Sequence, residues 1–156
     1  MKFRLERAAV RSTLAPMLAV LAVLVLTGPA GAVAAGHGVL SAPEARQRAE
    51  RGALTLIDIR RPSEWHETGI AASALPVTMH DPQGPGGFLA AVLSALGGDR
   101  SRPVALICAS GVRSTWASRF LKARGFANVY NVKEGMLGNG AAPGWIRRGL
   151  PIRPRH

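Results

Sequence analysis

The chain has 156 residues, with 20 Lys+Arg against 9 Asp+Glu for a formal charge of +11, 47% apolar residues and a single cysteine. One cysteine excludes an internal disulfide scaffold and a cysteine-rich zinc site, and the apolar content excludes a disordered tail protein. So basic a charge points to nucleic acid or a membrane surface only if the basic residues belong to the working chain and cluster there.

The N-terminus bears on that condition first. Lys2, Arg4, Arg7 and Arg11 precede an uncharged stretch from Leu14 to Leu26, after which Gly28 and Pro29 break the pattern and Ala32 and Ala34 supply small residues in an A-x-A arrangement. This order predicts a signal peptide over residues 1–34, cleaved after Ala34, and a periplasmic or otherwise exported protein that meets the membrane only during export. An uncleaved anchor is the alternative, but an apolar core of 13 residues is short of the roughly 20 that span a bilayer. Removal of the segment leaves a net charge of +8.

The remaining residues suffice for one core, placed over 42–151 between a lead-in at 35–41 and a basic tail at 152–156. Pro43–Arg51 predicts a short polar helix with Pro in its first turn. Leu54–Ile59 reads as a strand and Ala74–Thr78 as a weaker one. Met79–Gly87 is a loop by its Pro and Gly content, and Phe88–Leu96 is an apolar helix stopped by Gly97-Gly98. Pro103–Cys108 is a continuous apolar run of the kind buried on both faces of a parallel sheet. Ser114–Arg124 reads as a helix with Trp116, Ala117, Phe120 and Leu121 on one side, and Asn128–Val132 as the last clear strand. Residues 135–156, rich in Gly, Pro and Arg, read as mostly irregular. Strands alternating with helices predict an α/β fold of three layers, a mostly parallel central sheet with helices on both faces.

The chemistry concentrates where the buried strand ends at Cys108 and a short loop enters the next helix. Such a loop turns backbone N–H groups into its own concavity, and the helix dipole adds positive potential. A thiol there is expected as a thiolate, with Arg113 adding a fixed positive charge and Gly111 letting the backbone turn without a Cβ. Taken alone, a lone cysteine is more often a small buried hydrophobe; strand, loop, glycine, arginine and helix together favour the catalytic reading. The spacing is C-x4-R, one residue shorter than the C-x5-R ring that seats a phosphate in cysteine phosphatases, and the smaller ring suits a sulfur atom attached to the cysteine.

CASGVRS resembles the active-site loop of the rhodanese family of sulfurtransferases. LIDIRRPSEWHETGI, with Asp58, Arg60, Glu64, Trp65, Gly69 and Ile70, is similar to the family's upstream block, and NVYNVKEGM followed by Trp145 and GLPI resembles its closing block. The resemblance implies a rhodanese-like domain in which Cys108 is the nucleophile and Ala109, Ser110, Gly111, Val112 and Arg113 form the substrate-binding loop. It implies transfer of a sulfane sulfur from thiosulfate, a polysulfide or a persulfide to a thiol or cyanide, without cofactor or metal. A periplasmic sulfur-carrier protein is a further candidate partner. Three departures stand out: Gly69 is followed directly by Ile70 with no intervening His, Glu134 replaces the first Gly of the closing pair, and Ala109 and Ser110 stand where thiosulfate-using members often carry Lys or Arg. Arg113 is then the one loop cation left to neutralise a sulfonate, which argues against efficient use of thiosulfate.

Asp58, Arg60 and Glu64 are expected to support the fold, since charged residues at strand ends cap turns or pair with one another. His66 is not assigned as a base, because a loop-stabilised thiolate needs none. Trp65, Trp116 and Trp145 are packing residues, and His37, His80 and His156 are too scattered for a metal site. Two rival functions remain. One is a rhodanese-like interaction or regulatory module of the cell envelope, against which the intact Cys108 weighs. The other is nucleic-acid binding through Arg46, Arg48, Arg51, Arg147, Arg148, Arg153 and Arg155, disfavoured by export and by the lack of interleaved aromatics.

Overall fold

The computed structural model describes residues 36–154, so the expected signal segment and the last two residues lie outside the described residues. In chain order the elements are Gly38–Leu40 (β1), Ala42–Glu50 (α1), Thr55–Asp58 (β2), Pro62–Thr68 (α2), Ile70–Ala71 (β3), Ala74–Pro76 (β4), Gly84–Ala95 (α3), Val104–Ile107 (β5), Val112–Lys122 (α4), Val129–Val132 (β6) and Ile152–Arg153 (β7). β1, β6, β5, β2 and β4 form, in that order, a five-stranded sheet with every neighbouring pair parallel; β3 and β7 pair antiparallel beside it.

Strand alternation explains why the central runs are apolar throughout, since successive side chains leave opposite faces and both faces are covered. Leu56, Ala105 and Ile107 enter one core with Leu40, Ala42, Ala45, Val132 and Trp145, beneath α1 and the C-terminal segment. Ile57, Val104 and Leu106 enter the other with Phe88 and Val92 of α3 and Ala117 and Leu121 of α4. Each fully buried Leu, Ile or Phe contributes about 1.5–3 kcal/mol by leaving water. The three-layer α/β expectation therefore holds.

The differences from the sequence reading have local causes. α2 went unforeseen because Trp65 is its one buried apolar residue, too few for a helical stripe. It is specified instead by Pro62 in its first turn and by Glu64, whose carboxylate accepts the Arg61 N–H at 3.0 Å. α3 begins at Gly84, inside the expected loop. Gly87 packs against the Asp81 carboxylate, where a Cβ would collide, so that glycine serves helix packing. α4 begins two residues before Ser114, at Val112, which puts Arg113 in its first turn. The lead-in supplies β1, paired with β6, and the tail supplies β7, paired with β3, so the fold extends beyond 42–151 on both sides. Glu134 anchors the start of α1, where its Oε1 accepts the otherwise unsatisfied Ala42 N–H at 2.8 Å, and it also meets Arg148 at 3.3 Å.

Candidate active site

Parallel strands release their chains at one edge of the sheet, which is where open α/β folds place their sites. β2 and β5 run in register, with Asp58 opposite Ile107, so residues 59–64 emerge beside Cys108 and its loop. The turn after β6 arrives on the other side. Its Met136 N–H donates to the Cys108 carbonyl and its Leu137 N–H to the Ala109 carbonyl, both at 2.8 Å. Three loops from three adjacent strands thus surround one cysteine.

Cys108 is buried, with its sulfur at the centre of the loop. The Gly111 N–H donates to Sγ at 3.1 Å and the Ser114 N–H at 3.4 Å, while Ser114 Oγ lies 3.4 Å away. The hydroxyl also reaches the Gly111 carbonyl, at 3.2 Å. With one proton to give, it donates to the carbonyl when the sulfur carries a proton and to the sulfur when it does not. Gly111 has φ +88, and a Cβ there would run into the Lys133 carbonyl. Only glycine allows this backbone both its left-handed turn and its approach to the neighbouring loop. The arrangement offers a sulfur atom two backbone dipoles and a hydroxyl.

Ala109 and Ser110 are half-buried, and Val112 is 74% exposed at the first turn of α4. Arg113 is placed differently from a free anion receptor. Its Nη1 and Nη2 each meet a Glu64 carboxylate oxygen at 2.6 Å, a two-pronged pair between side chains separated by 49 residues. The hydrogen bonds from Arg113, with that from the Arg61 N–H and the charges of Arg113 and Arg60, pull the Glu64 pKa down to about 2. Hydrogen bonding to Glu64 likewise raises the pKa of Arg113. The loop cation is therefore neutralised from across the site.

Asp58 and Arg60 are both buried, and Arg60 Nη2 meets Asp58 Oδ2 at 2.7 Å. The guanidinium also donates to the Gly69 carbonyl at 2.7 Å, to Thr68 Oγ1 at 2.8 Å and to the Glu64 carbonyl at 3.3 Å. This pair ties β2 to the end of α2, and α2 carries Glu64 to Arg113. Glu64 thus belongs to both the frame and the rim of the site.

Sequence reasoning did not assign Ser114 or His80. Ser114 follows the motif arginine directly, and α4 turns its hydroxyl inward to the sulfur. His80 has its pKa lowered by partial loss of water and by the charges of Arg61 and Arg113, and its backbone N–H donates to Thr78 Oγ1 at 3.1 Å. His66 is exposed on α2, and His37 Nδ1 accepts the Val129 N–H at 3.3 Å. Trp145 donates to the Pro151 carbonyl at 2.9 Å, whereas Trp116 is 48% exposed and stacks on Phe120 at 5.0 Å. Among the described residues no group of three or more His, Cys, Asp or Glu could hold a metal ion, and no helix is long and apolar enough to cross a membrane.

The family model described as a rhodanese-like domain matches residues 41–140. A protein of Allochromatium vinosum named sulfurtransferase is 32% identical over 99 residues, covering 64% of this chain and 78% of that protein. The crystal structure of Rv0390 from M. tuberculosis superposes with TM-score 0.58 at 27% identity, covering 76% of this chain and 98% of the other. The solution structure of the polysulfide-sulfur transferase homodimer from Wolinella succinogenes gives TM-score 0.56 at 26% identity, covering 76% and 80%.

Proposed function

Because the chain belongs to the rhodanese-like domain family, whose members similar to it include proteins named sulfurtransferase, we propose that it moves a sulfane sulfur from a donor to a thiophilic acceptor through a persulfide on Cys108. The observation that carries this reading is the buried Sγ facing the Gly111 and Ser114 N–H groups. In the first step the Cys108 thiolate attacks the outer sulfur of the donor. A Cys–S bond forms, the donor's S–S bond breaks, and the leaving group departs with the electron pair. In the second step an acceptor nucleophile, a thiol or cyanide, attacks the outer sulfur of the persulfide and the Cys108 thiolate is regenerated. Backbone dipoles stabilise negative charge on sulfur in both steps and reorganise little.

The pairing of Arg113 with Glu64 counts against efficient use of thiosulfate, because the rim offers its sulfonate little net positive charge. On the acceptor side, Val112 and Trp116 lie one turn apart on α4 and are exposed beside the loop. That apolar rim suits a thiol borne on a larger molecule, such as a sulfur-carrier protein. Export through a cleaved segment at residues 1–34 belongs to the same proposal, and a lone cysteine with no internal partner is compatible with an oxidising compartment. Initial rates with polysulfide and cyanide varied together test the reading. Parallel double-reciprocal lines and no turnover in Cys108→Ser are expected; intersecting lines, or turnover in the variant, would overturn the two-step scheme.

A further inference from the structure

The Gly111 carbonyl, at the head of α4, is approached by more donors than it can hold. The Thr115 hydroxyl donates to it at 2.7 Å and the Thr115 N–H at 3.0 Å, while Ser114 Oγ stands farthest, at 3.2 Å. A carbonyl oxygen has two lone pairs, and Thr115 takes both. The Ser114 hydroxyl is therefore held weakly there.

Its other neighbour is Cys108 Sγ, at 3.4 Å, and both residues are buried away from bulk water. The two N–H groups on Sγ, from Gly111 and Ser114, are fixed by the backbone. The hydroxyl is the donor that can swing. It faces the carbonyl when the sulfur is neutral and the sulfur when that atom carries charge.

We propose that Ser114 is a catalytic residue of the second half of the transfer, its hydroxyl turning to Cys108 Sγ as the persulfide gives up its outer sulfur. The inference rests on the persulfide reading above. In that step the acceptor's electron pair forms a bond to the outer sulfur, the S–S bond breaks, and the pair from that bond stays on Sγ. No proton changes hands; the Ser114 O–H meets the charge where it arrives. In the loading step the same hydrogen bond acts in the opposite sense. It steadies the thiolate before attack, and a steadier thiolate is a poorer nucleophile and a better leaving group. Ser114 therefore speeds discharge and slows loading, which suits a site fed by a reactive donor and drained by a weaker acceptor.

The test measures the two half-reactions separately, at a pH where loading no longer rises with pH. Loading is the rate of mass gain from polysulfide, and discharge is the rate of thiocyanate formation when the desalted persulfide form meets cyanide. Ser114→Ala removes the hydroxyl and keeps both N–H donors. Discharge should slow about three- to tenfold, while loading stays level or quickens. Thr115→Val frees a lone pair on the Gly111 carbonyl, which then retains the Ser114 proton, so both rates should shift in the same directions by a smaller factor. Where Ser114→Ala does not fold, Thr115→Val decides alone. A loosened loop slows both half-reactions, so opposite shifts separate the proposed role from a structural one. Unchanged discharge, or loading and discharge that fall together, would overturn the role of Ser114 and leave the persulfide reading standing. A wild-type protein that never gains sulfur would overturn both.

Discussion

Glu64→Gln removes the charge that holds Arg113 and keeps the side chain's size. In the structure both Arg113 terminal nitrogens meet the carboxylate at 2.6 Å, and the two side chains are 24% and 23% exposed. The carboxyl pKa is lowered from 4.5 to about 2. Each tenfold change in acidity corresponds to about 1.4 kcal/mol, and screening at a rim one-quarter exposed reduces the pair's share to about 1–2 kcal/mol. Because the folded pKa lies below the unfolded one, the stabilisation is complete above pH 4.5 and is lost as pH falls toward 2. Thermal unfolding of the variant at neutral pH should therefore come about 4–8 °C lower, and the gap should narrow near pH 3. Activity should move the other way for charged donors. With its counter-charge gone, Arg113 attracts an anion at the loop by about 1–2 kcal/mol at the effective dielectric of a protein rim. The assay is thiocyanate formation from cyanide, with thiosulfate and with dispersed elemental sulfur, an uncharged donor that the thiolate opens to a Cys108 polysulfide chain and cyanide shortens to the persulfide. The kcat/KM for thiosulfate should rise about tenfold and that for elemental sulfur should stay level. Equal changes for both donors, or a fall for thiosulfate alone, would refute the view that Glu64 masks the loop cation.

Asp58→Ala strands the buried Arg60 guanidinium, so stability should fall by about 3–5 kcal/mol in denaturant unfolding, while a loss below about 1 kcal/mol would mean water reaches Arg60. Gly111→Ala drives a Cβ into the Lys133 carbonyl from a left-handed backbone. Left-handed strain alone is worth about 1–2 kcal/mol, and sulfur transfer should disappear even where the variant still unfolds cooperatively; retained turnover would count against the loop geometry. Arg113→Ala leaves the Glu64 carboxylate uncompensated at the rim, so turnover should fall more with thiosulfate than with an uncharged donor, and equal losses with both would count against the charge pair as the control on anionic donors.

Which parts of the molecule were readable in the sequence follows from how local their causes are. β2 and β5 announce themselves as continuous apolar runs because helices cover both faces of the sheet. The Cys108 loop does so because strand, glycine, arginine and helix fall within a few residues of one another. α2 has one buried apolar side chain and no periodicity, so its specification through Pro62 and the Glu64 cap was not visible as a helix. β1 and β7 are too short to carry a pattern and exist because β6 and β3 offer edges to pair with. The largest gap was in the site itself. Glu64 meets Arg113 across 49 residues, a contact created by the parallel register of β2 and β5. Nothing in the spacing of either motif encodes it.

The central claim is that Cys108 carries the sulfur in transit. Its most direct test is the intact mass of the protein after brief exposure to polysulfide and removal of excess donor. A gain of one sulfur atom that is absent in Cys108→Ser and discharged by cyanide with formation of thiocyanate is the predicted result. An unchanged mass with every sulfane donor tried, or a gain that persists in the Cys108→Ser variant, would contradict it.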